Sequence, residues 1–391
     1  MTLLDISPTL DWPAQFCVFS MTVTWVASLV TGNVSQVDRL WTFLPTIYAA
    51  YYAFLPLLPN EQPFLLFPYA PKEFGWATAT SYSPRALLMF GVIFIWMCRL
   101  TYNAWRRGMF DLSEEDYRWA IVRNSMPSFL FQLLNIGFIV IIQNVLLLML
   151  ALPLRTAVKQ PHSPLTASDY ALAALVLFLI GVESVADNQQ NAFHAYKHAF
   201  LSGGKEDVKA YRADDHWVGS RLKWTPDDAK RGFVSQGLWR YSRHPNFFAE
   251  QAIWWVIALF PLVAPAAPNF PSVEDLPPLR TIALSLITPD LHKPLAEVLK
   301  LVLYPTFIHL SPAIGLSALF FASSTLSEKI SKKKYPAAYT AYQRRVARFA
   351  PVGTLFKLAQ LMLFASEEER RKVDTLVWGS VSETPLEKKS M

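Results

Sequence analysis

The chain has 391 residues, 52% hydrophobic and only 17% charged, against roughly 25% charged for a soluble domain. Its net charge of +6 would suit nucleic acid, but the cations fall in polar stretches between apolar runs, so the composition excludes a nucleic-acid partner in favour of a membrane surface. The two cysteines, Cys17 and Cys98, both lie inside apolar runs, which excludes a disulfide framework and a Cys-based zinc site; no metal is expected.

A bilayer-spanning helix needs about 20 mostly apolar residues. That length predicts spans at 15–31, 40–58, 86–105, 128–152, 168–186, 247–264 and 301–323. The fold class is therefore all-α, a polytopic transmembrane bundle of about six or seven spans. No cleavable signal is evident, because Asp5 and Asp11 and no Lys or Arg precede the first run. The second run is interrupted by Pro45 and Pro56. The last contains Ser311, Pro312 and Gly315, so a kink or a helical hairpin is expected there. Residues 265–300 read as a loop, with an interfacial helix at 295–304. From Ser366 the tail is charged and expected to be loosely ordered.

Charge is distributed unevenly about these spans. With the N-terminus in the lumen, 28 of the 36 Lys and Arg fall on one side, including ten within 187–246 and thirteen within 325–391. The positive-inside rule places that side, and the C-terminus, in the cytosol. The chain ends on Lys388, Lys389, Ser390 and Met391, which looks like a dilysine endoplasmic-reticulum retrieval signal.

Polar residues recur at helical spacing within the apolar runs. Arg99, Asn103 and Arg106 share one face, with Trp96 at its edge; Arg99, nearer the bilayer interior, needs a partner, and Asp38 or Glu183 would serve. The charged run from Glu114 to Trp119 follows, either as a solvated face or as part of a site. Glu183, Asp187, Gln190 and His194 share a second face. Two acids four residues apart repel, so a cation, a hydroxyl-rich ligand or a shared proton is called for. The structural alternative is pairing with Arg243 or Arg345.

The segment from Gly237 to Asn246 sets Arg240, Arg243, His244 and Asn246 directly against an apolar helix beginning at Phe247. An Arg at membrane depth costs about 2.5–3.5 kcal/mol, which makes such a cluster a functional-site hypothesis, and paired guanidinium donors suit phosphate. The alternative is anchoring at anionic headgroups. After the last run come Glu328 and then Tyr335, Tyr339, Tyr342 and Arg345, either an interfacial helix or a cap that closes over a nucleotide. There is no Gly-rich phosphate loop, no His-Glu-x-x-His and no Gly-x-Ser-x-Gly.

Residues 237–250 and the series Glu328, Tyr335, Tyr339, Tyr342, Arg345 and Pro351 resemble the C-terminal domain shared by steroid 5-alpha-reductases, sterol C14-reductases and isoprenylcysteine carboxyl methyltransferases. Residues 33–41 (with Asp38 and Trp41), 99–108, 115–118 and 183–190 resemble the reductase-like membrane branch of that superfamily. The resemblance covers about residues 33–351. It implies an N-terminal transmembrane region on the substrate side (1–155), a cofactor-side domain (156–351) with its pocket open to the cytosol, and a cytosolic tail (352–391). By the same resemblance Trp239, Tyr241, Arg243, His244, Asn246, Glu250 and Glu328 hold NADPH, Glu183, Asp187 and Gln190 line the pocket, and Tyr339, Tyr342 and Arg345 cap it. Asp38, Trp41, Arg99, Asn103 and Arg106 are substrate-side or structural.

The expected activity is NADPH-dependent reduction of a carbon–carbon double bond in a lipid, with Tyr117 or Tyr102 as the acid. The alternatives are an S-adenosylmethionine-dependent lipid methyltransferase and a non-catalytic scaffold. The N-terminal half departs from the steroid reductases, in which a substrate-side acid and tyrosine are expected but not identifiable here.

Overall fold

The computed structural model describes residues 7–203, 210–265, 278–285, 287–288, 290 and 292–379. The dilysine segment lies outside them. The regular structure among the described residues is helical, with no strand among them. In chain order the helices are α1 Asp11–Thr31, α2 Gln36–Leu40, α3 Leu44–Ala53, α4 Trp76–Thr80, α5 Pro84–Arg106, α6 Tyr117–Arg123, α7 Ser128–Leu134, α8 Gln143–Met149, α9 Leu152–Lys159, α10 Ala167–Leu201, α11 Pro226–Arg231, α12 Pro245–Leu262, α13 Leu279–Ser285, α14 His292–Lys334, α15 Pro336–Arg345, α16 Pro351–Phe364 and α17 Glu367–Trp378. A π-helical stretch, Asn135–Ile142, joins α7 to α8.

Five helical segments among these residues are long and apolar enough to cross a membrane: Pro8–Thr31, Pro84–Arg106, Ser128–Lys159, Ala167–Leu201 and Leu303–Lys334. Two of the seven expected spans are not among them. The run 40–58 breaks at 41–43 and again after Ala53, leaving α3 with ten residues, half the length a bilayer needs. Its Tyr48, Tyr51 and Tyr52 are buried in protein. The second is α12, which has 18 residues but carries Asn246, Glu250 and Gln251 in its first two turns. The helical hairpin considered near Pro312 is absent, because α14 runs continuously for 43 residues through both Pro305 and Pro312. The interfacial helix expected at 295–304 is the beginning of α14.

The chain divides into two compact units, residues 1–177 with 253–318, and residues 178–252 with 319–391. In the first unit, polar rungs join the apolar helices. Asn135 Nδ2 donates to Ser28 Oγ at 3.0 Å and Asn144 Nδ2 to Thr24 Oγ1 at 3.5 Å. Arg85 Nε and Nη2 donate to the Asp169 carboxylate at 2.7 and 3.1 Å, both residues fully buried. Trp96 and Trp254 meet edge to face with centroids 5.0 Å apart. Cys17 and Cys98 are free thiols.

The second unit holds the rest of α10, the start of α12, the end of α14 and α15–α17. The described part of its tail, up to Gly379, is helical, contrary to the expectation from composition. Ser366 caps α17 by accepting from the Glu369 N–H at 3.2 Å, and Glu367, Glu368 and Glu369 fill the first turn. An acidic first turn is favoured by the helix dipole. Val373 and Val377, one turn apart, are buried with Tyr339, Tyr342, Val346 and Leu361.

Candidate functional site

The second unit builds its polar centre on α10. Glu183 and Asp187 are buried, Gln190 is half-buried and His194 is exposed, so the expected stripe runs from protein interior to solvent along one face. The chain approaches this face through a backbone that only glycine tolerates well. Gly237 has φ +63°, and a Cβ there would sit 2.5 Å from Gln189 Oε1. The close approach lets Gln189 Oε1 accept from the Leu238 N–H at 2.9 Å while its Nε2 donates to the Gly219 carbonyl at 3.0 Å. Trp239 Nε1 then donates to the Ala186 carbonyl at 3.2 Å. Gln189 adjoins the polar stripe in sequence, but its role as the loop's anchor could be read only once Gly237 was placed against it.

From there the 241–244 segment pairs with 347–348. The Arg243 N–H donates to the Ala347 carbonyl at 2.9 Å and the His244 N–H to the Arg348 carbonyl at 3.0 Å. Ser242 Oγ donates to the same Arg348 carbonyl at 3.1 Å. This fixes Asn246 at the start of α12, where its Nδ2 donates to Asp187 Oδ1 at 3.0 Å. The Asn246 Oδ1 is buried and accepts no hydrogen bond among the described residues. A buried amide oxygen without a donor costs about 1–3 kcal/mol. Glu250, one turn on, is buried.

Arg243 is placed differently from a ligand-facing cation. Its Nε and Nη2 donate to Glu328 Oε1 and Oε2 at 2.7 and 3.1 Å, and Nη1 donates to the carbonyls of Val346 and Gln343. Both partners of the pair are buried. His244 Nε2 lies 3.0 Å from Glu328 Oε1, and Gln343 Nε2 donates to Glu328 Oε2 at 2.8 Å. Glu328 thus collects Arg243, His244 and Gln343, with Arg348 Nη2 at 3.7 Å. Burial pushes the His244 imidazole below the ordinary histidine range, against the upward pull of Glu328, so its neutral form is favoured.

Tyr339 and Tyr342 lie in the packed core around Phe233, and the Tyr342 hydroxyl donates to the Trp239 carbonyl. Burial raises that hydroxyl well above the usual phenol range. Arg345 donates to Asp374 at 3.1 Å and its guanidinium lies 5.1 Å from the centre of the Trp378 ring, which Arg240 also approaches, at 4.7 Å. Asp374 and Trp378 belong to the tail expected to be loose, so no sequence signal linked them to the arginines. Tyr241 and Arg240 are exposed, and Arg240 has no carboxylate partner among the described residues.

The first unit brings the other singled-out motifs together. Asn33 Nδ2 donates to the carbonyls of Leu112 and Glu114 at 3.1 and 2.8 Å, and Arg39 Nη2 to those of Asp111 and Glu114 at 2.7 and 2.6 Å. The Val34 N–H reaches Glu115 at 2.9 Å and the Asp116 N–H reaches Ser35 Oγ at 3.1 Å. The 33–41 and 111–118 segments are therefore one clamped assembly. With the C-terminal turns of α5 they line an open-sided cavity of about 150 Å³, bordered by Asp38, Trp41, Thr42, Asn103, Arg107 and Arg118 among others.

Asp38 accepts from Trp119 Nε1 at 3.4 Å, and burial raises its carboxyl above the usual range. Burial also opposes ionisation of Asp116, but the two bonds from Arg118, at 2.9 and 2.7 Å, outweigh it and hold that carboxyl below the usual range. Asn103 Oδ1 accepts from Arg106 Nε at 3.0 Å, and Arg99 is half-buried on the same helix. Tyr102 and Tyr117 are both exposed and neither lines the cavity. No group of three His, Cys, Asp or Glu among the described residues is arranged to hold a metal ion.

A family model for DUF1295, described as a protein of unknown function, matches residues 24–269. The chain belongs to this family. It is also 31% identical over 330 residues to an uncharacterised protein of the fission yeast Schizosaccharomyces pombe, covering 84% of this chain and 76% of that protein. No solved structure matches it. The family match spans both the 33–41 and the 237–250 motifs.

Proposed function

We propose that the protein is a membrane-embedded, NADPH-dependent reductase of a carbon–carbon double bond in a lipid. The observation that carries the reading is the buried Asn246–Asp187 pair with its unfilled Asn246 Oδ1, in which Asp187 lies on α10, a helix long and apolar enough to span a bilayer, and Asn246 at the start of α12. Buried polar groups on such a helix are costly and mark ligand sites by default. The resemblance of residues 237–250 and 328–351 to the steroid 5-alpha-reductase superfamily supplies the ligand class.

The residues present fit a dinucleotide in part. Asp187, Gln190 and Asn246 offer acceptors and an amide to ribose hydroxyls or a carboxamide. Arg240, exposed and stacked on Trp378, and Arg348, which also reaches Thr325 and Glu328, are the cations proposed to meet phosphate. Arg243 and Arg345 are engaged with Glu328 and Asp374, so Arg243 acts by holding the 241–244 loop. When bound, NADPH supplies hydride to the β-carbon of an activated double bond. A group of the chain must then stabilise charge on the activating carbonyl and deliver a proton to the α-carbon.

The test is isotopic. Purified protein in nanodiscs of microsomal lipid receives NADPH deuterated at either face of C4. A reductase yields a saturated lipid carrying one deuterium and one solvent hydrogen. Transfer of a labelled methyl from S-adenosylmethionine, with no deuterium uptake, would replace this reading by a methyltransferase.

A further inference from the structure

The cavity of the first unit is too small for a cofactor. Its volume of about 150 Å³ compares with roughly 300–1,000 Å³ for sites that enclose a drug-sized ligand. It can take one end of a longer molecule. It lies at the C-terminal turns of α5, a helix long and apolar enough to span a bilayer, where the apolar face of α5 gives way to Asn103, Arg106 and Arg107. We propose that this cavity binds the uncharged, oxygen-bearing polar end of a membrane lipid.

The lining charges argue for a neutral group. Asp116 and Arg118 form a two-bond ion pair that neutralises itself. Arg107 and Asp38 add one cation and one carboxyl. A phosphate entering here would meet two carboxyl groups, and an ammonium would meet two guanidinium groups. Either would lose its hydration for a balanced field. A hydroxyl or carbonyl meets neither cost.

Such a group also finds partners. Thr42 is 1% exposed, and its hydroxyl makes only a long donation of 3.5 Å to the Arg39 carbonyl. Asp38 accepts from Trp119 Nε1 at 3.4 Å, and its carboxyl lines the cavity as an acceptor for a hydroxyl. Trp41, Leu100, Ala104 and Met109 supply apolar wall for the first carbons of the chain. The inference is independent of the cofactor taken by the second unit.

The experiment uses the full chain in phosphatidylcholine nanodiscs, without NADPH. The probe is a C16 alcohol with a diazirine beside its hydroxyl, compared with the C16 amine and the C16 alkyl phosphate carrying the same diazirine. Crosslinked peptides are read by mass spectrometry. The alcohol is expected to label segments 38–42 and 100–118. Unlabelled hexadecanol and the C16 methyl ketone should compete and hexadecane should not; stronger competition by one of the two identifies a hydroxyl or a carbonyl as the preferred end. Ala104→Phe, which fills the cavity from its wall, should lower labelling roughly tenfold, about 1.4 kcal/mol, with an unchanged melt. If that variant does not fold, competition in the wild type decides alone. Preferential labelling by the amine or the phosphate would overturn the proposal, as would label spread evenly over lipid-facing helices and insensitive to competitor. Because no nucleotide is present, this result and that of the deuterium experiment are separable.

Discussion

Arg243 and Glu328 stand 85 residues apart in sequence and form the best-connected ion pair of the second unit. Removing one partner from a buried pair leaves an uncompensated charge, costing roughly 3–5 kcal/mol. Arg243→Ala is therefore expected to express poorly or melt early in detergent, and Glu328→Leu in the same chain should recover part of the loss. A wild-type melt for Arg243→Ala would show that the pair is not structural. Asp187→Asn should behave in the opposite way. An Asn side chain still offers an oxygen to Asn246 Nδ2, so the melt should hold, whereas a charge-assisted bond to a ligand hydroxyl, worth about 1.5–3 kcal/mol, is weakened. Nucleotide affinity should fall about tenfold, and unchanged affinity would remove Asp187 from the site. At this scale the sequence displayed which side chains needed partners but not which partners they would take. Arg243 stood as a phosphate ligand or as a partner of Glu183 and Asp187; it bonds to Glu328, because that choice depends on how 241–244 lies along 347–348, a backbone pairing with no local pattern.

The elements divide by how much of their stability is local. α5, α10 and the apolar part of α14 were legible because a continuous apolar run of membrane length has few alternatives. α3 was misjudged as part of a span because its tyrosines and alanines are apolar enough for lipid but are buried in protein. α17 was missed because composition weighs its Glu and Arg side chains, while its apolar docking comes from Val373, Leu376, Val377 and Trp378. Its start is nevertheless a recognisable signal, since Ser366 followed three residues later by Glu369 is a capping pattern. Ser366→Ala should cost about 1 kcal/mol and raise hydrogen exchange in 367–378 before it changes the global melt. If exchange in that segment stays at the wild-type rate, docking by Val377 and Trp378 fixes the helix without its cap.

At the scale of the molecule, composition and apolar runs sufficed for an all-helical membrane protein, and five helices have the length and apolarity to cross a bilayer. The membership in DUF1295 covers both the clamped N-terminal assembly and the 237–250 segment. The proposed activity requires the second unit to take a phosphorylated dinucleotide. The most direct measurement is a titration of the purified protein with NADPH, NADH and S-adenosylmethionine, following intrinsic tryptophan fluorescence and calorimetric heat. The account predicts saturable NADPH binding at least tenfold tighter than NADH, about 1.4 kcal/mol, lost in Arg240→Ala paired with Arg348→Ala. Equal affinity for the two nucleotides, or binding of S-adenosylmethionine with neither of them, would contradict it.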